Sequence, residues 1–288
     1  MKKRAVSVML TAAMVSAMLA GCGSKNAETQ SAADTTAESA VSGDETSADT
    51  QAADAETTDA SKTDGTFTVG FDQDFPPMGF VGDDGEFTGF DLEMAAEVAK
   101  RLNLTIAYQP IAWDAKDMEL DAGTIDCIWN GFTMNGREDD YEWSKPYMKN
   151  NQVFVVRGDS DINSGKNVEV QTDSSAEAAL NDNSELTSMF GSLTPVADYN
   201  TAFMDLESGA VDAIAMDDVV ASYQITSRKA DFKVLDDVIA AEEYGIGFKK
   251  GNTGLRDKVQ ATLEEMAADG TAAKISEKWF GKDITTIQ

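Results

Sequence analysis

Some segments of the chain have the apolar pattern of a β-strand, and others have apolar residues at the spacing of an α-helix. In the first part they predict strands at residues 66–71, 104–108 and 125–129. Apolar positions recurring every three or four residues predict a helix over 91–102, which Asp91 can cap, and a short helix around 118–120. This β-α-β-α-β order is typical of a parallel sheet with helices on its faces.

A second set of elements has the same layout. After an extended apolar segment at 152–156, the pattern predicts strands at 168–170, 211–215 and 244–248, and helices at 176–180, 201–208, 217–226, 253–268 and 271–279. Two α/β units of similar layout predict an α/β fold with two lobes.

Residues 1–22 have the composition of a targeting segment. Residues 1–4 are basic, and the apolar stretch 5–19 is too short for a permanent membrane-spanning helix. The ending Leu-Ala-Gly-Cys resembles a bacterial lipobox, in which Cys22 receives acyl chains such as palmitate. We therefore expect a lipoprotein signal peptide over 1–22 and a protein anchored to the outer face of the cell membrane through Cys22. An ordinary signal peptide followed by an incidental cysteine is the alternative.

Residues 23–65 are dominated by Ala, Ser, Thr, Asp, Glu and Gln. A segment with so few apolar side chains cannot bury enough surface to offset the entropy of ordering. We therefore expect a disordered, acidic tether over 23–65.

Composition and charge argue against several classes of function. The chain has a formal net charge of −28 at pH 7 and no histidine. Such acidity argues against nucleic acid as a partner, and the lack of histidine argues against His-dependent catalysis and His-rich metal sites. The apolar neighbours of Cys127 predict a buried, inert thiol. We expect no cofactor and no metal.

Polar side chains directly follow the predicted strands. They are Asp72, Asn130 with Gly131, Gln171 and Asp217. In open parallel sheets ligands bind beyond the carboxyl ends of the strands, so we expect these side chains to meet in a cleft between the lobes.

The loop after the strand at 125–129 presents an arginine. A guanidinium at the position of Arg137 can hold a carboxylate with two parallel hydrogen bonds. The backbone of Gly131 and the hydroxyl of Thr133 are placed to hold the groups beside that carboxylate. This arrangement suits an amino acid; a surface turn with a solvated arginine is the alternative for this segment taken alone.

Six segments resemble, in order, those of the amino-acid-binding solute receptors of ABC importers, the polar amino-acid branch of family 3. They are 69–80, 85–93, 131–133 with Arg137, 144–147, 244–248 and 270–281. The resemblance implies a two-lobed clamshell of the periplasmic-binding-protein-like type II, with crossing strands near 150–155 and 242–245. It assigns 66–150 and 244–288 to lobe one and 151–243 to lobe two. Hinge motion closes such lobes on a ligand.

The resemblance also implies roles for residues that hold the ends of the ligand. Arg137 would bind the α-carboxylate, and the backbone N–H of Thr133 or of Ser175 would complete that grip. Asp217 would pair with the α-ammonium, together with the Gly131 carbonyl and the Thr133 hydroxyl. Capping of the following helix is the alternative role for Asp217.

Other residues would surround the ligand side chain. Phe75 and Trp113 would enclose its stem, and its far end would face Asp72, with Gln171 helping from lobe two. Trp113 as a core residue and Asp72 as a loop-holding residue are the alternatives.

Two loops depart from the family pattern. Arg137 lies one residue closer to Gly131 than usual. The lobe-two loop carries Asp173, whose charge, with that of Asp72, favours a neutral polar or cationic ligand over an acidic one. Glutamine, arginine, lysine and cystine are the candidates.

The sequence therefore predicts an extracytoplasmic, lipid-anchored receptor that binds a polar L-amino acid and delivers it to an ABC permease with its ATPase. We expect a monomer without enzymatic activity. One alternative is an amino-acid sensor subunit. Another is a small-acid dehydratase on the same scaffold, for which Asp72 or Glu243 would have to serve as general acid or base.

Overall fold

The computed structural model describes residues 65–162 and 165–288, so the predicted signal peptide, Cys22 and nearly all of the tether lie outside it. The strands are β1 (Thr66–Phe71), β2 (Asp74–Phe75), β3 (Gly79–Val81), β4 (Phe87–Thr88), β5 (Thr105–Pro110), β6 (Cys127–Thr133), β7 (Glu142–Trp143), β8 (Met148–Arg157), β9 (Asn167–Gln171), β10 (Ser192–Val196), β11 (Ala213–Asp217) and β12 (Phe232–Phe248). The helices are α1 (Phe90–Arg101), α2 (Lys116–Ala122), α3 (Ser175–Asp182), α4 (Ser184–Thr187), α5 (Tyr199–Ser208), α6 (Asp218–Arg228), α7 (Thr253–Ala268) and α8 (Thr271–Phe280).

Lobe one is built around β1, which lies between β5 and β6 and is parallel to both. All residues of β6 are buried, and the end of β12 pairs with it antiparallel. Helices α1, α7 and α8 pack together, and α1 also packs on β5 and β6. Cys127 is a buried free thiol within this core, as predicted.

Lobe two is built around β9, which lies between β10 and β11 and is parallel to both. On the other side of β11 lies β8, in antiparallel orientation. Apolar side chains of the strands pack against Ala176 and Leu180 of α3. The carboxyl ends of β9 and β11 therefore point toward the same edge of the lobe, where Gln171 and Asp217 stand.

Strands β8 and β12 connect the two lobes. β12 pairs with β8 from Phe232 to Tyr244 and continues along β6 from Tyr244 to Phe248. One sheet thus runs through both lobes in the order β10-β9-β11-β8-β12-β6-β1-β5. The predicted α/β fold with two lobes is confirmed. We retain 66–150, 151–243 and 244–288 as proposed lobe boundaries.

Some strands are not visible in the apolar pattern. Between β1 and α1, the short strands β2, β3 and β4 form a small antiparallel sheet. β10 lies at the edge of the large sheet and contains Pro195, which only an edge strand accommodates easily. The first half of β12 is mostly half-buried, with three exposed residues, and it lacks the apolar run that marks 244–248.

None of the helices within 65–162 and 165–288 has the length and apolar character that crossing a membrane requires.

Candidate ligand-binding site

A narrow cleft lies between the lobes. Its walls contain Phe75, Trp113, Asn130, Gly131, Thr133 and Arg137 from lobe one, and Gln171, Ser174, Ser175 and Asp217 from lobe two. Every residue predicted to bind the ligand lines this cleft except Asp72, and Ser174 joins them. The structure therefore brings together residues from strand ends that are far apart in sequence.

Arg137 reaches the cleft despite its shortened loop. The turn is closed by the backbone N–H of Arg137, which donates to the Met134 carbonyl at 2.9 Å, and Gly136 adopts a φ of 79° that favours glycine. The guanidinium donates to the carbonyls of Thr133, at 3.4 Å, and Asp173, at 3.3 Å. Both partners are neutral, so the positive charge remains available to a carboxylate in the cleft.

Asp217 presents its carboxylate to a buried set of donors. It precedes α6, but its side chain makes no capping hydrogen bond. Its Oδ1 accepts from Asn150 Nδ2 at 2.9 Å, Gln152 Nε2 at 2.8 Å and Tyr244 Oη at 2.5 Å. Burial, followed by the nearby charge of Glu242, raises the pKa of Asp217 well above its usual range. A cation in the cleft would favour its charged form.

Asp91 supports the cleft from within lobe one. The expectation that Asp91 caps α1 is wrong, because the helix begins at Phe90 with Gly89 as its N-cap and no side chain caps it. Asp91 Oδ2 instead accepts from the backbone N–H of Gly131 at 2.6 Å and from Tyr147 Oη at 2.9 Å. Complete burial raises the pKa of Asp91 to about 7. This carboxyl fixes the backbone of Gly131 at the cleft wall.

The start of α3 faces the cleft from lobe two. Thr133 Oγ1 donates to Ser175 Oγ at 3.1 Å, and Gln152 Nε2 donates to the same oxygen at 2.9 Å. The N-cap Ser174 accepts from the backbone N–H of Glu177. Unpaired N–H groups at a helix N-terminus attract anions, so this wall and Arg137 suit the same carboxylate.

Two aromatic side chains form the apolar walls. Trp113 and Phe75 are both buried, and each also packs on a second ring: Trp113 on Phe132 at 5.5 Å between centroids, and Phe75 on Tyr199 at 6.0 Å. They are therefore core residues and cleft walls at once.

Asp72 lies beside the cleft rather than in its wall. Its Oδ2 accepts from Gln171 Nε2 at 2.7 Å, and its Oδ1 accepts from the backbone N–H of Asp74 at 2.8 Å. Together with Trp113 it borders a neighbouring cavity. Burial raises the pKa of Asp72 to about 6.

Polar contacts between the lobes hold the cleft shut. Besides the pairs Thr133–Ser175 and Asp72–Gln171, the buried ammonium of Lys116 in α2 forms an ion pair with the half-exposed carboxylate of Asp173. The charge of Asp173 is thus balanced by lobe one and does not face the cleft, so it gives no preference for a cationic ligand.

We expect Lys116→Met to favour the open form of the ligand-free protein and to weaken ligand binding by about fivefold. An ion pair with one exposed partner contributes about 1 kcal/mol to closure. Small-angle scattering of ligand-free Lys116→Met would show a larger radius of gyration than that of the wild type. Calorimetry would give the change in Kd. Lys145→Met, which removes the exposed ion pair with Glu264 inside lobe one, is the control. Unchanged scattering and Kd for Lys116→Met would contradict a closing role.

The apolar pattern does not single out the residues that hold Asp217. Asn150 and Gln152 lie on β8, and Glu242 and Tyr244 lie on β12. One signal was present: Asn150 and Gln152 are two positions apart, so both amides point to the same face of a strand that is otherwise apolar from 153 to 156.

Comparison with known proteins agrees with this architecture. Residues 67–282 match the family described as bacterial extracellular solute-binding proteins, family 3. The L-cystine-binding protein TcyJ of Escherichia coli (strain K12) is 32% identical over 228 residues, covering 76% of this chain and 84% of the relative. The L-cystine-binding protein TcyA of Bacillus subtilis (strain 168) is 31% identical over 221 residues, covering 76% and 82%.

A solved structure is similar over the same region. The substrate-binding protein of an ABC uptake transporter from Streptococcus pneumoniae, with bound histidine, superposes with a TM-score of 0.74 at 34% identity. The match covers 77% of this chain and 94% of that chain.

Proposed function

Because the chain belongs to the bacterial extracellular solute-binding proteins of family 3, we propose that it binds a free L-amino acid between its lobes and delivers it to an ABC permease. One observation carries this proposal: Arg137 of lobe one and Asp217 of lobe two line the same narrow cleft. A free amino acid carries the complementary pair of charges on one carbon atom.

The two ends of the ligand are paired by different lobes. Arg137 and the start of α3 bind the α-carboxylate, and Asp217 binds the α-ammonium with the help of Gly131 and Thr133. A zwitterion loses its hydration on entering the cleft, and an unpaired buried charge costs several kcal/mol. Both pairings form only when the lobes are closed, so ligand binding stabilises the closed form.

The side chain of the ligand is polar and neutral or cationic, and cystine is a candidate. Phe75 and Trp113 contact its stem, and Asp72, at the boundary with the neighbouring cavity, accepts hydrogen bonds from its far end. Relatives named as L-cystine-binding proteins, with identity above 30%, support this choice.

The chain acts as a binding protein at the outer face of the cell membrane. Cys22 carries the lipid anchor and residues 23–65 form the tether to the folded part. The monomer hands its ligand unchanged to the permease and its ATPase. Recovery of the bound compound by mass spectrometry after long incubation tests the absence of turnover.

Titration calorimetry of the folded part against the proteinogenic L-amino acids and L-cystine tests the proposal. We expect binding of a neutral polar or cationic amino acid or of L-cystine. We expect about 100-fold weaker binding to Arg137→Ala, because the variant leaves the α-carboxylate in the cleft without its charged partner, which costs about 2–5 kcal/mol. Lys145→Ala removes an exposed positive charge and serves as the control. If no compound binds, or if Arg137→Ala binds like wild type, the proposal fails.

A further inference from the structure

A second buried carboxylate stands behind Asp217. Glu242 lies on β12 where the two crossing strands pass between the lobes, and only about 6% of it is exposed. It does not line the amino-acid cleft. With Asn150 it instead borders a separate cavity on the other side of the crossing strands.

Asp217 and Glu242 are held together by shared donors. The Asn150 amide donates to Asp217 Oδ1 at 2.9 Å and to Glu242 Oε1 at 2.8 Å. The Gln152 amide donates to the same two oxygens at 2.8 Å each. Two nitrogens thus fix one oxygen of each carboxyl side by side, and the two carboxyls are also within hydrogen-bond reach of each other.

Among the residues that the structure describes, those that contact this pair are neutral amides and tyrosines. Tyr244 of β12 donates to Asp217. Tyr199 of α5 stays neutral, because burial and the charges of Asp217 and Glu242 raise its pKa well above the usual range. The other ionisable groups nearby stand at the rims of the two cavities: Arg137 at the cleft, and Lys149, Asp218 and Lys282 at the cavity behind.

Two like charges so close in a buried site repel strongly, and the established outcome for such pairs is that they share one proton. The direction of the Asp217 shift agrees with this, since burial first and the nearby Glu242 second raise its pKa. A carboxyl pair holding one proton has the same net charge as a doubly ionised pair holding one ammonium.

We propose that Asp217 and Glu242 share one proton in the ligand-free protein, and that the α-ammonium of the ligand displaces this proton when it binds. Glu242 is a positioning residue that sets the charge of the ammonium site without touching the ligand. This inference rests on the proposed function, because it requires an ammonium ligand beside Asp217.

The exchange balances charge and protons. The bond between the proton and its carboxylate oxygen breaks, the proton passes to water, and the ammonium takes its place beside two ionised carboxylates. The cavity bordered by Asn150 and Glu242 gives this proton a way to solvent that the ligand does not block. The site therefore accepts a cation without a change in its buried net charge.

Calorimetry in buffers with different ionisation enthalpies counts the protons released on binding. The probe is L-cystine, followed by each proteinogenic L-amino acid that gives heat. For the wild type near pH 7 we expect release of about one proton per ligand and binding that strengthens by up to about tenfold for each unit of pH increase between 6 and 8. Release of no proton by a wild-type protein that binds its ligand overturns this inference and leaves the proposed function intact.

Two variants locate the proton. Glu242→Gln removes one member of the pair and its repulsion, while burial still favours the neutral form of Asp217. We expect binding to persist with less proton release than in the wild type and a weaker dependence of Kd on pH. Glu243→Gln is the control, because it changes the carboxylate of the next residue. The backbone N–H of Glu243 donates to Asn135 and is unaffected, so this variant should behave like wild type. Proton release by Glu242→Gln equal to that of wild type would overturn the assignment. Absence of binding by every probe to wild type would overturn both proposals.

Discussion

Replacing Asp217 with asparagine is expected to weaken amino-acid binding by about 100-fold or more. The ligand ammonium would enter a buried site without its anionic partner, and losing one member of such a pair costs about 2–5 kcal/mol. Asparagine keeps the shape of the side chain and an oxygen that can accept from Asn150 and Tyr244. Calorimetry gives the change in Kd for the ligand identified with the wild type.

The ligand-free variant should be as stable as the wild type. A buried carboxyl with a raised pKa is costly to ionise, and the amide avoids this cost. Thermal unfolding should therefore show an unchanged or higher Tm without ligand and no stabilisation by ligand. Asp218→Asn is the matched control. In the wild type, the Asp218 carboxylate accepts from the Ser222 hydroxyl at 3.3 Å. Wild-type affinity in Asp217→Asn would exclude Asp217 as the ammonium partner.

Replacing Gly89 with alanine is expected to destabilise the folded part by about 3–5 kcal/mol. Gly89 has φ 144° and ψ 166°, a region that is nearly restricted to glycine and costs other residues about 1–3 kcal/mol. A Cβ atom there would lie 2.2 Å from the Met78 carbonyl oxygen, which overpacks a buried backbone contact and adds about 1–3 kcal/mol. The site should suffer as well, because Gly89 starts the helix that carries Asp91.

Urea unfolding and calorimetric Tm measure this effect, and the Tm should fall by about 10 °C. Gly85→Ala is the control: Gly85 also has a positive φ, of 83°, but no atom lies within 4 Å of its added Cβ. We expect it to cost about 1 kcal/mol. Equal losses in the two variants would mean that backbone conformation, rather than the contact with Met78, sets the cost at Gly89.

Much of the fold follows from local pattern. The strands β6 and β11 begin with apolar runs and are buried throughout, and β1 alternates threonine with apolar residues; both patterns are visible in the sequence. The half-buried first part of β12 and the edge strand β10 lack this signal, because their pairing depends on neighbours that are distant in sequence.

The candidate site was predictable where strand ends define it. Gln171 and Asp217 are the last residues of β9 and β11, and the rule that ligands bind at the carboxyl ends of strands places them at the cleft. The same rule predicted Asp72 in the cleft, whereas the structure places it beside the cleft, with its carboxylate accepting from Gln171 of the other lobe. Asp91 illustrates the opposite error: a local capping rule assigned it to its own helix, whereas it binds the backbone N–H of Gly131.

The sequence by itself determined the two α/β lobes and most of the residues around the cleft, because strand period, helix period and strand ends are local properties of the chain. Only the tertiary structure decided how charges are paired. Lys116 balances Asp173, and Asn150 with Gln152 holds Asp217 against Glu242. These partners come from different strands, helices and loops, and burial makes their pairing decisive because an unpaired charge away from water is costly. Nothing in the local order of residues specifies which of them meet.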